Sequence, residues 1–522
     1  MLMLSSWEKL MMKTIIKVAI IALLWITVVN PGPIYGDTLG RLAMAHAWWT
    51  GTEEFTVSPD YKPKSRIGGI GVLGVGGKRY IPYEVGQSLL MLPGDWLGTQ
   101  LHSVFPQIES TFLRRLVVGF VVFLPLNVAA VVSCFWLMRL FEFEDRIAGL
   151  ASITWLLSTT VLHYAHISQQ NNQVLLFVTL GYAAALACVR QNQPRLALLS
   201  GLALGAALLI RTTCIIHVLT VLLFLVGLLV YQSSDKLKVI HVVGLWIVGF
   251  IPLALLGRVI DYMRYGNFLV TGMSMFAKQL NTEPLFAELP ELPANYPFSN
   301  PPYVGIWGVL FSPAKSIFIY DPLLLPGLVL GVILWKRLSH YIKWYLVSGI
   351  FNLGLHIAFT SRLDFWHGDP GWGARYHVTS VHLLLIPILA LFIQRILLVQ
   401  GLVRWLLQGL LILAIAMQMT SVILRPSAEV GRIYFDRPET FLRFRLGDRV
   451  TNIGCLINSS FATDCTSRLY YHINGPLINK VSLLPFQFTK GRYFIFTSWG
   501  LILTIAIAIT VGFYYSYHHN NL

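Results

Sequence analysis

Lys13-Thr-Ile-Ile-Lys17-Val-Ala-Ile-Ile-Ala-Leu-Leu-Trp25-Ile-Thr-Val-Val-Asn30-Pro-Gly-Pro33-Ile-Tyr-Gly-Asp37 is an apolar helix closed by a proline turn and followed at once by an acid. From Lys13 to Asn30 it is long enough to cross a bilayer, and Lys9, Lys13 and Lys17 flank its start. The Asn30-Pro31-Gly32-Pro33 end is no small-residue cleavage site, so the stretch reads as a retained signal anchor rather than a signal peptide. Asp37 then lies where hydrocarbon gives way to water. A carboxylate there can meet a lipid phosphate from one side and a hydroxyl from the other. The plainer alternative is a solvated loop acid that caps a short helix from Leu39.

The rest of the chain extends this pattern. Of its 522 residues 55% are hydrophobic and 12% charged, and the mean hydropathy is +0.64. Soluble domains carry roughly 25% charged residues. Apolar runs recur near 13–30, 112–138, 147–165, 173–190, 196–211, 213–231, 239–258, 320–335, 344–360, 377–397, 403–423 and 494–515. These predict an all-α polytopic membrane protein with about twelve transmembrane helices. The net charge of +15 would suggest nucleic acid in a soluble protein, but no nucleic-acid motif is present.

The short loops set orientation. Arg139 and Arg146, Arg190 and Arg195, Lys236 and Lys238, Lys336, Arg337 and Lys343, then Arg395 and Arg404 all fall on the side of the N-terminus. By the positive-inside pattern both termini are expected in the cytoplasm. The long segments 31–110, 258–320, 361–376 and 424–493 are then extracytoplasmic, and they hold the unusual residues. The organisation expected is a transmembrane module over 1–423, an outer segment over 424–493, and a last span with a cytoplasmic tail over 494–522. Cys134, Cys188 and Cys214 sit in apolar runs as packing residues, whereas Cys455 and Cys465 are placed for an outer disulfide. Arg468 to His472 reads as strand-like.

Four outer stretches carry chemistry. The first is Tyr35-Gly-Asp37-Thr-Leu-Gly-Arg41. The second, Tyr80-Ile-Pro-Tyr83-Glu84-Val-Gly-Gln87-Ser88, enters an apolar run too short to span, which suits an interfacial or re-entrant helix. The third, Gly308-Val-Leu-Phe-Ser312-Pro-Ala-Lys315-Ser316, is a polar turn with one cation, suited either to phosphate or to snorkelling. The fourth is Phe365-Trp366-His367-Gly-Asp369-Pro-Gly-Trp372-Gly-Ala-Arg375-Tyr376-His377. An aromatic belt explains its Trp residues but not its Gly-Asp-Pro-Gly turn or Arg375, which can grip phosphate oxygens with two parallel hydrogen bonds.

Taken in order, these stretches resemble the bacterial integral-membrane glycosyltransferases of the GT-C fold, nearest to the lipid-carrier-dependent enzymes related to protein O-mannosyltransferases and aminoarabinose transferases. The resemblance covers roughly residues 10 to 400 by pattern. It implies a GT-C-like bundle in the bacterial inner membrane and a sugar donor on a polyprenyl phosphate. It also implies an acceptor hydroxyl on a glycan, lipid or protein, which attacks with inversion. Asp37 matches the first-loop acid and would be the general base. Arg375 and Lys315 match positions suited to the leaving phosphate, with Tyr83, Glu84, Gln87, Trp366, Asp369, Trp372 and Tyr376 as substrate-binding candidates.

One departure stands out. Many relatives carry an acid before the fourth span, where this chain has His163-Tyr-Ala-His166-Ile-Ser-Gln-Gln-Asn-Asn-Gln173. A metal bridged by two acids is therefore in doubt, with Glu84, Asp364 or Asp369 as substitutes. A divalent metal remains an open cofactor, with His163 and His166 as its alternative ligands. Two other function classes compete. A transporter or flippase of lipid-linked sugars would place charges at mid-depth, but the spans are nearly free of acids. A glycan polymerase or ligase would concentrate Arg in a large outer loop, and Arg425 to Arg492 holds ten Lys/Arg against five Asp/Glu.

Overall fold

The computed structural model describes residues 6–58, 61, 70–232, 235–293, 295–368, 371–425, 442–458, 460–461, 481–488 and 491–519. The chain is an all-α polytopic bundle. Among the described residues nine helices are long and apolar enough to cross a membrane. They lie in Met12–Val29, Ser110–Leu140, Asn171–Arg190, Thr212–Gln232, Lys236–Tyr265, His340–Thr360, Arg375–Leu398, Gly401–Ile423 and Arg492–Tyr515.

The other runs expected to span are shorter helices. The run at 196–211 is the helix Arg195–Ile210, and the run at 320–335 contains Leu324–Ile333. The run at 147–165 is two helices, Asp145–Ser158 and Val161–His166. A carboxylate distant in sequence explains that break. Asp321 accepts from the Thr160 N–H at 2.8 Å and from its hydroxyl at 3.0 Å. A buried N–H freed from the helix ladder needs such an acceptor.

Glycines let the helices meet backbone to backbone. Lys236–Tyr265 crosses Arg195–Ile210 where Gly201 and Gly205, four apart, face it. A Cβ on Gly201 would stand 2.0 Å from the Trp246 carbonyl oxygen, and one on Gly249 2.1 Å from that of Leu198. Between apolar helices in lipid, close approach of small residues supplies the packing that hydrophobicity cannot.

The outer segments fold onto the bundle. Residues 31–110 contain the helices Thr38–Thr50 and Gly86–Val104 and a small antiparallel pair, Val72–Leu73 with Arg79–Tyr80. Gly86–Val104 is not among the nine membrane-length apolar helices. Asp95, fully buried, accepts from Arg114 at 2.6 Å and Trp49 at 2.8 Å and meets His46 at 2.9 Å, which ties these helices together. Of the outer segment after residue 424, the described part includes the helix Arg445–Ile457 and a bridge between Leu424 and Val481. Cys455 is disulfide-bonded. Cys465 and the strand-like stretch at 468–472 lie outside the described residues.

The bundle has two distinct ends. At one, Arg139 pairs with Asp145 at 2.5 Å, Arg190 pairs with Glu142 at 2.5 Å and lies over the Tyr341 ring, and Gln232 bonds the Tyr341 hydroxyl at 2.6 Å. The turns rich in Arg and Lys therefore collect together. The other end holds Asp37.

Candidate functional site

Asp37 is placed by the proline turn before it. The Asn30 amide nitrogen donates to Gly119 O at 3.4 Å, and its side-chain oxygen accepts from Gly32 N at 2.8 Å. Arg115 Nε donates to Ile34 O at 2.8 Å. The receiving surface is a π-helical turn, Gly119–Phe123, inside the long helix Ser110–Leu140. A Cβ on Gly119 would lie 2.5 Å from Gly32 O, so the turn seats only against glycine. The chain leaves it aimed at the start of Thr38–Thr50, with Asp37 at the N-cap position.

Asp37 makes no side-chain cap bond there. Its Oδ2 instead accepts from Arg375 Nη2 at 2.8 Å, across 338 positions of sequence. The two ends of this ion pair differ in access. The Arg375 side chain is 9% exposed and that of Asp37 is 40% exposed. Burial raises the Asp37 carboxyl pKa, but Arg375 in contact, with Arg41 and Arg211 nearby, outweighs it and holds the group below its ordinary value. Asp37 is an accessible, ionised carboxylate backed by three guanidiniums.

Arg41 and Arg211 are two cations that sequence reasoning did not assign to the site. Arg41 is buried one helical turn after Asp37, its Nη1 donates to Asp37 O at 3.4 Å, and its guanidinium lies 4.0 Å from the Tyr83 ring centroid. Spacing near four on one helix face was the signal for it. Arg211 comes from the far end of Arg195–Ile210 and lies 5.9 Å from the Tyr376 ring centroid. No local pattern marks it.

The remaining candidates divide between the surroundings of Asp37 and its supports. Tyr83, beside Arg41, Glu84, whose charge acts on Arg41 and Arg211, and Tyr376, next to Arg375, lie around Asp37 and are each partly exposed. Glu84 Oε1 accepts from the Thr212 N–H at 3.2 Å and hydroxyl at 2.9 Å. Gln87 is fully buried and donates to Ser168 O at 3.3 Å and Gln173 Oε1 at 3.1 Å. Trp366 is buried against Gly308, where a Cβ would come 2.0 Å from its ring. Trp372 is fully buried, edge-on to Tyr320 and flanked by Arg445 and Arg449 at 5.8 Å and 5.2 Å. Asp369 lies outside the described residues.

Lys315 is 2% exposed, and its Nζ donates to Gly371 O at 2.8 Å. Arg445 Nη1 donates to the same carbonyl at 2.7 Å. A Cβ on Gly371 would in turn stand 3.1 Å from Arg375 Cβ. In this state Lys315 braces the loop that presents Arg375. Asp364 ties its loop to the preceding outer segment, where it accepts from Ser299 Oγ at 2.5 Å.

The amide-rich run 169–173 also has a supporting role. Asn171 Nδ2 donates to Arg375 O at 2.7 Å, and Asn172 Nδ2 donates to Asn127 Oδ1 at 2.8 Å. His163 Nδ1 faces Ser421 O at 3.2 Å and His166 Nδ1 faces Val29 O, which fixes the proton on Nδ1 in both rings. Their Nε2 atoms are buried without a hydrogen-bond partner. They could accept a metal, yet the charges of Arg445 and Arg449 act on His163, and no group of three or more metal-binding side chains occurs among the described residues. That donor set does not fit a divalent cation. An apolar fissure lined by Ile15, Val132, Trp136 and Leu180 includes no residue of the Asp37 cluster.

Comparison with known proteins gives fold-level likeness only. The chain is similar to the crystal structure of ArnT from Cupriavidus metallidurans bound to undecaprenyl phosphate, with a TM-score of 0.44 and 13% identity over 95% of this chain and 75% of that one. It is also similar to the archaeal oligosaccharyltransferase AglB from Archaeoglobus fulgidus in complex with an inhibitory peptide and a dolichol-phosphate. There the TM-score is 0.40 and the identity 11%, over 84% of this chain and 60% of that one. No protein-family model matches the chain, and no curated protein matches it.

Proposed function

We propose that this protein is an inverting GT-C-like glycosyltransferase, which moves a sugar from a polyprenyl-phosphate donor to an acceptor hydroxyl at the extracytoplasmic membrane face. The observation that carries the reading is the 2.8 Å pairing of Asp37 with Arg375, with the carboxylate open to solvent and the guanidinium nearly closed off. One accessible carboxylate beside one buried guanidinium provides the two charges that this reaction needs.

The chemistry follows from those two groups. The acceptor O–H gives its proton to the Asp37 carboxylate as its oxygen bonds the anomeric carbon. The bond from that carbon to the phosphate oxygen breaks on the opposite face, and the electron pair leaves with the phosphate. Negative charge grows on the phosphate as this happens, and Arg375 is placed to stabilise it. Arg375 then has to exchange part of its hold on Asp37 for the phosphate, so donor binding frees the base. Lys315, Arg445 and Asn171 keep Arg375 in register by holding its loop.

The test is transfer from radiolabelled polyprenyl-phosphate sugars by membranes that contain the protein, with Asp37→Asn as control. Label moving to an acceptor with wild type and not with the variant is the expected result. Absence of transfer from a broad donor and acceptor panel would remove the reading.

A further inference from the structure

Arg211 stands at a built break in the bundle. The helix Arg195–Ile210 stops, residue 211 is extended at φ −153° and ψ 123°, and the turn Thr212–Cys214 leads into the next helix. Glu84 holds that turn through Thr212, and a Cβ on Gly86 would sit 2.6 Å from the Leu209–Ile210 backbone. A basic residue between two apolar helices is thereby turned toward the Asp37 end, where its charge acts on Asp37 and Arg375.

Its partners set Arg211 apart from the other two arginines. Arg375 is paired with Asp37, and Arg41 lies on Tyr83 and bonds Asp37 O. Arg211 is 8% exposed, yet its guanidinium makes no hydrogen bond or ion pair with any described residue and has only the Tyr376 ring beneath it. The acids nearby are engaged, Asp37 with Arg375 and Glu84 with Thr212. The enclosed unpartnered nitrogens among the described residues include Arg41 Nε and Arg375 Nε but none of Arg211, so its free donors keep an opening to solvent through which an anion can reach them.

We propose that Arg211 is a phosphate-binding residue of the Asp37 cluster, gripping the phosphate of a prenyl-phosphate lipid together with Arg375. The lipid's identity rests on the glycosyltransferase reading; the anion site rests on Arg211 itself. Two planar guanidiniums facing one phosphate fix its orientation as well as its charge. Tyr376, adjacent to Arg375 in sequence and under Arg211 in space, links the two.

The full chain in detergent micelles is titrated with farnesyl phosphate, with farnesol and with inorganic phosphate, by calorimetry. Wild type is expected to bind farnesyl phosphate and not farnesol. Arg211→Ala is expected to weaken that binding about tenfold or more, the loss of one charge-assisted contact, and Arg211→Lys to recover part of it. Arg211→Gln keeps most of the side-chain volume and serves if the alanine variant fails to fold. Unchanged farnesyl phosphate affinity in folded Arg211→Ala or Arg211→Gln overturns the proposal and leaves the transferase reading standing. Arg211-dependent binding of inorganic phosphate with no preference for farnesyl phosphate overturns the prenyl lipid and keeps the anion site.

Discussion

At the residue scale the proposed chemistry turns on one carboxylate, Asp37, whose charge is set by its neighbours. Asp37→Asn keeps the shape and removes the base, so transfer is expected to fall at least ~100-fold with thermal stability little changed. Normal turnover by folded Asp37→Asn would end the assignment. Arg375→Lys is expected to be damaging too, since a point charge cannot reproduce the planar grip, and a competition assay with lipid phosphate reads this. The pH dependence has a definite sign. Arg375 with Arg41 and Arg211 outweighs burial and holds Asp37 below the ordinary carboxylate value. A group with a lowered folded pKa contributes stability above its unfolded value of ~3.9 and loses it only as pH falls through the folded value. In the free protein Asp37 therefore stays ionised through the neutral range and puts no acid limb on kcat/KM above about pH 4. Arg375→Ala should move that limb upward, and a wild-type limb near neutrality assigned to Asp37 would contradict the arrangement. That Asp37 and Arg375 are the residues to bring together was legible because each sits in a local pattern, and the structure pairs them. The position of Arg211 beside them was not, because it comes from a helix break that Glu84 holds through Thr212, 128 positions away.

At the element scale the spans were legible as apolar length, whereas their interruptions were not. Ser158-Thr159-Thr160 interrupts the apolar run, but hydroxyls that bond their own helix are compatible with its continuing, and the acceptor that permits the break is Asp321, 161 residues later. Asp321→Ala would leave the Thr160 N–H unsatisfied in the interior. The expected cost is about 1–3 kcal/mol, read as a lowered unfolding temperature in detergent. The meeting of Arg195–Ile210 with Lys236–Tyr265 was hidden for a similar reason. Gly201 and Gly205 show a small-residue spacing, but the partner surface belongs to another helix. Gly201→Ala places a methyl 2.0 Å from a backbone oxygen that no rotamer can move. Overpacking of about 1–3 kcal/mol is expected, and an unchanged midpoint would show that the helices part without cost.

At the scale of the whole molecule the distribution of charge becomes geometry. The basic turns around Arg139, Arg190 and Tyr341 meet at one end, and Asp37, Arg41, Arg211 and Arg375 gather at the other. Both sets are basic, for different reasons. The first is the set that the positive-inside pattern expects in the cytoplasm, and the second suits the anionic ligand proposed for it. A charge count along the chain merges the two, which is why the net +15 alone pointed nowhere. Sidedness separates them. The free cysteines Cys134, Cys188 and Cys214 are buried, and Cys455 is disulfide-bonded, so single introduced thiols can be read against a quiet background. Ser460 follows the helix Arg445–Ile457 and is exposed, and Lys336 is exposed in the turn after Leu324–Ile333. If the site faces away from the cytoplasm, Ser460→Cys reacts with an impermeant maleimide in intact cells, whereas Lys336→Cys reacts only after the membrane is permeabilised. The reverse pattern would put Asp37 on the cytoplasmic face, where a donor presented from the extracytoplasmic leaflet could not reach it.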